Sequence, residues 1–367
     1  MRALRSVLKS LADRVLSERH WKTKALFIVL VLALLRAFPS YETLGTAFNR
    51  DTWKAAQLKA DNPMLDTGPM FRPRSHNSKL TFRLTVPVVA HVLHLRRTGV
   101  LIGTAFVGIL LLYTVLKIAE SVTGDRGMAF LVCLAIACVW PGLAAFHDLR
   151  GGYYDAVALC LLLLSMAAES PALAGICAFL AAWTDERALI ALPLVLLFGA
   201  TNARARVAAI AIAGAGYAVT RAALAFLYGW TTNTAGAGFG VFRHQASVIP
   251  LGIWTGLGGC WILVFASIYV LLRKKQFFTL ALFALALALV LAAASMVFDL
   301  TRSAAYCLPA VFVALAILQR DGTPRLVSRL VFIAAALSLL LPTLYLEGKN
   351  VFRLHPVSGS TVSHVIN

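Results

Sequence analysis

Apolar runs of 18–20 residues recur along this chain, and each is long enough to cross the roughly 30 Å hydrocarbon core of a bilayer. The stretch Leu280 to Val297 is one of them. It is rich in Leu and Ala and does not alternate, so it does not read as a barrel strand. A helix crossing lipid satisfies its own backbone groups, which an open sheet or loop cannot do. Only 14% of residues are charged and 60% are hydrophobic, too little charge to cover a soluble domain of this length. The expectation is an all-α, polytopic transmembrane helical bundle of about 11 spans. We place them at 25–40, 99–118, 127–146, 153–169, 171–184, 187–200, 206–228, 251–272, 277–297, 304–319 and 326–345. The spans at 171–184 and 187–200 are short and read as a hairpin of half-length helices held inside the bundle.

Residues 1–24 precede the bundle (25–345). Leu4, Val7, Leu8, Leu11, Val15 and Leu16 fall on one helical face, and Arg2, Arg5, Lys9, Arg14 and Arg19 fall largely on the other. That pattern reads as an amphipathic helix lying on the cytoplasmic membrane surface, with a cytosolic partner-binding helix as the alternative. No cleavable signal peptide is visible. The net charge of +18 comes mostly from helix ends. It reads as topology control and contact with anionic membrane lipid, with no nucleic acid as partner. Six cysteines, all in or beside apolar runs and without a CxxC pair, read as small buried hydrophobes.

A basic N-terminus places that end in the cytoplasm. The turns 119–126, 170, 201–206, 273–276 and 320–325 follow it there. The other face receives the first outer loop 41–98, the later turns and a polar tail, 346–367. Residues 80–97 read as an interfacial helix within the first outer loop, because a crossing at 84–95 would put the clusters 202–206 and 273–275 outside. The outer face then carries Glu42, Asp51, Asp61, Asp66, Arg72, Arg74, His76, Lys79 and Arg83 in the first loop. It also carries Asp148, Arg150, Tyr154 and Asp155; Asp185, Glu186 and Arg187; Arg243 and His244; and Asp299 and Arg302. Arg makes forked hydrogen bonds to phosphate, and a nearby carboxylate can take a proton from an attacking hydroxyl. The mixture suits a phosphate-bearing lipid substrate. Ordinary ion pairing explains the same residues equally simply, Asp299 with Arg302 across one helical turn for example. Arg221, inside an apolar run, can snorkel, meet an acid or line a cavity. His91 and His94 read as a polar interfacial face, and no metal site is signalled.

Four stretches resemble the GT-C superfamily of polytopic glycosyltransferases. They are the single span followed by a long outer loop opening on Tyr41-Glu42; Trp140-Pro141 through His147-Asp148 to Arg150-Gly151-Gly152-Tyr153-Tyr154-Asp155; Ala174-Gly175 through Trp183-Thr184-Asp185-Glu186-Arg187 to Pro193-Leu194; and Asp299-Leu300-Thr301-Arg302 before a span containing Pro309. The resemblance implies a GT-C-like bundle that transfers sugar from a polyprenyl-phosphate-linked donor to a glycan, lipid or protein acceptor on the non-cytoplasmic face. It implies inversion at the anomeric carbon and no cofactor. Glu42 or Asp51 would be the base. Arg150, Arg187, Arg243 and Arg302 would hold the departing phosphate, with Asp148, Tyr154, Asp155, Asp185, Glu186, His244 and Asp299 around the substrate. The two first-loop acids are nine residues apart and form no paired motif. The Ala/Leu-rich composition suggests a bacterium, and hence its cytoplasmic (inner) membrane.

Three other readings stay open: a lipid-linked glycan flippase or transporter, an O-antigen ligase or polymerase type of enzyme, and a non-catalytic envelope scaffold. Matching broken helices in two halves would mark a transporter, and a late long outer loop would mark a ligase. No P-loop, GxGxxG, HExxH or GxSxG motif is present.

Overall fold

The computed structural model of the chain describes residues 19–37, 48–71, 76–198, 203–230 and 237–354. Most of the expected amphipathic segment 1–24 lies outside these residues, as do Glu42, Arg72 and Arg74. The described chain is a helical bundle closed at one end by a small hairpin. Its elements are α1 Trp21–Arg36, α2 Asp51–Asp61, α3 Thr85–Val92, α4 Arg97–Thr123, α5 Arg126–Ala137, α6 Trp140–His147, α7 Asp155–Ala167, α8 Pro171–Thr184 and α9 Arg187–Leu197. There follow α10 Ala203–Tyr228, α11 Phe239–Gln245, α12 Ile249–Leu257, α13 Trp261–Arg273, α14 Phe277–Ser295, α15 Leu300–Ala304, α16 Leu308–Asp321, α17 Pro324–Leu340, β1 Thr343–Glu347 and β2 Asn350–Leu354.

Local chemistry sets the boundaries. Gly124 takes a left-handed φ of 64° and stops α4. Asp125 then caps α5 by accepting from the Met128 amide at 2.8 Å. Pro141, with no N–H to give, sits in the first turn of α6 behind an extended Val139, and α5 and α6 meet there at 55°. Gly252 and Gly256 let α12 lie against α15: a Cβ added to Gly256 would stand 2.6 Å from the Ala304 Cβ.

Five helical stretches among the described residues are long and apolar enough to cross a membrane, or six when the bent α5–α6 pair counts as one. The other segments expected to span are shorter: α1 has 16 residues, α17 has 17, and α7, α8 and α9 have 13, 14 and 11. At 1.5 Å per residue, α7 and α8 reach about 20 Å, short of the roughly 30 Å core. The half-length expectation therefore extends to α7 as well as α8 and α9. The last expected span, 326–345, ends at Leu340. Pro342 cannot continue the helix, and Thr343–Glu347 pairs instead with Asn350–Leu354. The beginning of the expected polar tail is thus half of a hairpin. The segment 80–97 contains only the eight-residue α3, too short to cross.

Turns alternate between the two ends of the bundle. At one end Lys22 meets Glu120 at 2.6 Å, Arg206 donates to the Met166 carbonyl at 2.5 Å, and Arg320 bonds Gln276 at 2.6 Å. At the other end lie the turns 148–154, 185–186 and 296–299 and the hairpin. The short helices leave this second end recessed. Arg206 marks the foot of α7, and Tyr217, eleven residues on, packs its ring 5.0 Å from Trp183 at the top of α8. The helix α10 continues another eleven residues to Tyr228, about 16 Å further.

The first loop packs into that recess. Phe82 meets Trp230 edge to face, and Arg221 lies 4.1 Å over the Phe82 ring while bonding the Tyr217 hydroxyl. Arg221 thus stacks on an aromatic ring and bonds a hydroxyl. The Leu84 amide bonds the Trp183 carbonyl, Thr85 bonds the Leu180 carbonyl, and the Trp53 indole donates to the Leu149 carbonyl at 2.6 Å. Lys59 is buried, with its ammonium bonded to the carbonyls of Pro63, Leu65 and Thr81 and lying 4.9 Å from the Trp230 ring. Burial pushes its pKa down to about 8 against the pull of Asp66. Lys59→Met removes the donor to three carbonyls at once and leaves the buried one, of Thr81, without its lysine partner. It is expected to cost about 2–4 kcal/mol and to speed proteolysis within 48–71, checked by thermal melting and limited digestion in detergent.

Candidate functional site

The turn after α6 begins at Asp148, and the next two helices start and end close by. Asp155 is the first residue of α7, Asp185 terminates α8, and Arg187 opens α9. These short helices bring their polar ends below the rim of the longer ones, where Arg302, on α15, comes down beside them. Asp155 accepts from Arg187 at 2.7 Å and from Arg302 at 2.5 Å. Asp185 accepts from Arg187 at 2.7 Å and pairs with Arg83 at 2.6 Å. Asp299 accepts from Arg302 at 3.0 Å. Asp148 accepts from Arg150 at 2.9 Å and lies 3.9 Å from Arg302. Four aspartates and four arginines thus form one connected cluster.

Aromatic and hydroxyl groups complete it. The Tyr153 ring has Arg302, Arg150 and Arg83 at 4.4, 4.5 and 5.4 Å from its centre. The Tyr306 ring lies under Arg187 at 4.9 Å, and Ser303 accepts from Arg187 at 3.1 Å. Tyr345, from the hairpin, donates to Asp299 at 3.3 Å. Arg83, Arg302 and all four aspartates are buried. Arg150 keeps 24% of its side chain exposed and Glu186 32%, the most exposed charges of the group. Two of the buried guanidinium groups keep N–H groups without a hydrogen-bond acceptor among the described residues: Arg302 at Nη2, and Arg83 at Nε and at Nη2, the latter 2.6 Å from Asp185 as an ion pair.

Charges at this depth ionise only because they are paired. Burial alone would raise the Asp148 carboxyl, but Arg150 and then Arg302 hold it below the usual carboxylate range. Burial is likewise overcome at Asp185 by Arg187 and Arg83, and at Asp299 by Arg302 and Arg150. Lys79, on the first loop, is lowered by burial, with Glu186 pulling the other way.

The sequence-derived candidates divide cleanly. Asp148, Arg150, Asp155, Asp185, Arg187, Asp299 and Arg302 meet, with Glu186 at the edge 3.9 Å from Arg83. Tyr154 does not. It is buried with Trp53, Ala60, Ala90, Val100 and Val157 in an apolar cluster, because residue 154 faces the first loop while Tyr153 faces the arginines. Arg243 stacks on Phe239 at 4.8 Å and His244 packs against Phe298, both exposed at the surface of α11. The residue that α11 sends inward is Gln245, bonded to the Ser295 and Val297 carbonyls. Asp51 is exposed and pairs with Lys54 across one turn of α2, away from the cluster. Arg83, Tyr153, Tyr306 and Tyr345 belong to the site without having been singled out for it. Arg83 carried a signal, being a lone cation just before an apolar helix. Among the described residues no group of three or more His, Cys, Asp or Glu is arranged to hold a metal ion.

Comparison with family models, with curated proteins and with solved structures returns no match. The class that the structure itself defines is an all-helical, membrane-type bundle with a recessed cluster of ion-paired arginines at one end.

Two outcomes follow for stability. Asp155→Asn leaves Arg187 and Arg302 without their shared counter-charge and is expected to cost about 3–5 kcal/mol, against less than about 1 for Asp51→Asn, by melting in detergent. Asp148, Asp185 and Asp299 have folded values below their unfolded ones. Their stabilisation is therefore complete above about pH 4 and is lost as the pH falls through the depressed values, so the melting temperature is expected to drop below about pH 4.

Proposed function

We propose that this chain is a GT-C-type membrane glycosyltransferase. It moves a sugar from a polyprenyl-phosphate-linked donor to an acceptor on the non-cytoplasmic face, with inversion at the anomeric carbon. The observation that carries the reading is Arg302. Three of its neighbours are carboxylates, yet its Nη2 remains buried without an acceptor, next to Arg83, Arg150 and Arg187. An oxyanion placed there gains a charge-assisted hydrogen bond with little reorganisation of the site. As the glycosyl bond breaks, negative charge grows on the departing phosphate, and guanidinium groups fixed beside it favour that charge over the ground state.

Sidedness supports the same reading. Lys22, Arg126, Arg206, Arg273, Lys274, Lys275, Arg320 and Arg325 lie at the end opposite the cluster, and on the positive-inside rule they favour a cytoplasmic assignment for it, although Arg96 and Arg97 open α4 at the cluster end. Counting the short helices, we read eleven segments that alternate in direction, which would turn the cluster towards the periplasm or exterior of a bacterial cytoplasmic membrane. Glu42 and Asp51 were the expected bases. Glu42 lies outside the described residues, and Asp51 is solvent-exposed and paired with Lys54.

A flippase for the same lipid is favoured by one observation. The breaks at Cys138–Val139 and at Gly258–Cys260 meet around a cavity of about 160 Å³, and paired helix breaks are a transporter device.

Reconstitution with a polyprenyl-phosphate sugar and an acceptor separates the two readings. Transfer is expected in the wild type. Arg302→Lys keeps the charge but loses the fork, and is expected to lower turnover about 100-fold or more. Lipid translocation without transfer would instead select the flippase. Transfer at the wild-type rate by a folded Arg302→Lys variant would remove the basis of the glycosyltransferase reading.

A further inference from the structure

The hairpin β1–β2 is tied to the site from several directions. Arg36 and the Cys138 carbonyl both bond the Thr343 hydroxyl, at 2.8 and 2.9 Å. The Tyr345 ring lies 4.8 Å from Trp140, and its hydroxyl reaches Asp299. The Leu346 amide donates to Thr301 at 2.9 Å and the Gly348 amide to the Phe298 carbonyl at 2.8 Å. Gly348 adopts a φ of 59°, which lets the tip turn back beside Phe298. The effect is to place Glu347, the last residue of β1, on the same strand face as Tyr345, whose hydroxyl bonds Asp299, and one residue before Gly348, which bonds Phe298.

Glu347 differs from every other acid there. Asp148, Asp155, Asp185 and Asp299 each accept from at least one arginine, and Glu186 lies near Arg83. The Glu347 carboxyl has neither an ion pair nor a hydrogen bond among the described residues, and the residue is half-buried. Within its field stand Asp299 and Asp148 from two turns, and Arg150 and Arg302 from the same turns.

Resting on the glycosyl-transfer reading, we propose that Glu347 is the catalytic base of the transfer, in place of an acid from the first outer loop. The acceptor hydroxyl lies between Glu347 and the sugar. Its oxygen bonds to the anomeric carbon while its proton passes to the Glu347 carboxylate. The bond from that carbon to the phosphate oxygen breaks, and its electron pair leaves on the phosphate, which the arginines hold. The paired aspartates are poor proton acceptors, since protonation would abandon a guanidinium in the interior. Glu347 has no such tie. Burial first, and then the Asp299 charge, raise its carboxyl above the ordinary glutamate range, which suits a group that must take up a proton.

The test measures transfer from a polyprenyl-phosphate sugar by the full chain in liposomes, with Glu347→Gln, Glu347→Asp and Glu42→Gln beside the wild type. Glu347→Gln is expected to lower kcat by about 10²–10⁴-fold with donor KM within about twofold, and to remove the acidic limb of the kcat–pH profile. Glu347→Asp is expected to restore part of the rate and the limb. Equal melting temperatures establish that the variants are folded. If Glu347→Gln keeps both rate and pH limb while Glu42→Gln loses them, the base lies in the first loop and only this inference fails. A wild type that transfers from no polyprenyl-phosphate sugar overturns the parent reading, and this one with it.

Discussion

Arg302 sits at zero exposure among three carboxylates, and the architecture of this end of the bundle follows from the need to neutralise it. A guanidinium cannot give up its proton to escape burial, so its counter-charges must come to it. They come from separate parts of the chain: Asp148 after α6, Asp155 at the head of α7, and Asp299 before α15. Arg187 and Arg83 extend the network to Asp185. With four charges of each sign, the cluster closes on itself, and the helices carrying it are held in register by bonds that no apolar contact would specify. A buried ion-pair network of this kind is weak evidence for stability, because its desolvation cost rivals its attraction. A purely structural end to the bundle could have used leucine.

Short helices make that cluster possible. Were α7, α8 and α9 full-length spans, Asp155, Asp185 and Arg187 would emerge at the bilayer surface among water and headgroups. At about 20 Å or less they end while α10 is still rising, so their polar ends are enclosed by neighbouring helices rather than lipid. The first loop then covers the recess, with Phe82, Trp230 and Lys59 packed above and Arg83 reaching down to Asp185 and to the Gly152 carbonyl. Its backbone finds partners in Trp183 and Leu180 rather than in water, which is what makes an irregular segment tolerable at this depth.

Much of this was written in the spacing of polar residues between apolar runs. Asp148, Asp155, Asp185, Arg187, Asp299 and Arg302 each flank an apolar run, and runs that alternate in direction return them to one end. Facing was not legible in the same way. Tyr153 and Tyr154 are neighbours in a turn, and no periodicity tells which meets the arginines. Arg243 and His244 lie in a seven-residue helix whose inward residue is the uncharged Gln245. The hairpin was hidden because Thr343-Leu344-Tyr345-Leu346 extends the apolar run of α17. Pro342 was the signal that the helix had already stopped.

A neutral, closed cluster places a condition on any anion that enters it. Each anion oxygen admitted without loss of a carboxylate contact must use a donor not yet engaged, and Arg302 Nη2 and Arg83 Nε are such donors. A second contact requires one existing pair to open. The most exposed of the four arginines is Arg150, and its partner Asp148 retains Arg302 within 3.9 Å. Tyr153 lies against both guanidinium groups and can keep Arg150 stacked after its carboxylate contact is lost. Arg187 is doubly held by Asp155 and Asp185 and bonded to Ser303, so it is poorly placed to exchange partners. On these terms the four arginines are unequal: Arg302 and Arg83 each keep an N–H without an acceptor, Arg150 is the most exposed, and Arg187 is the most fully held.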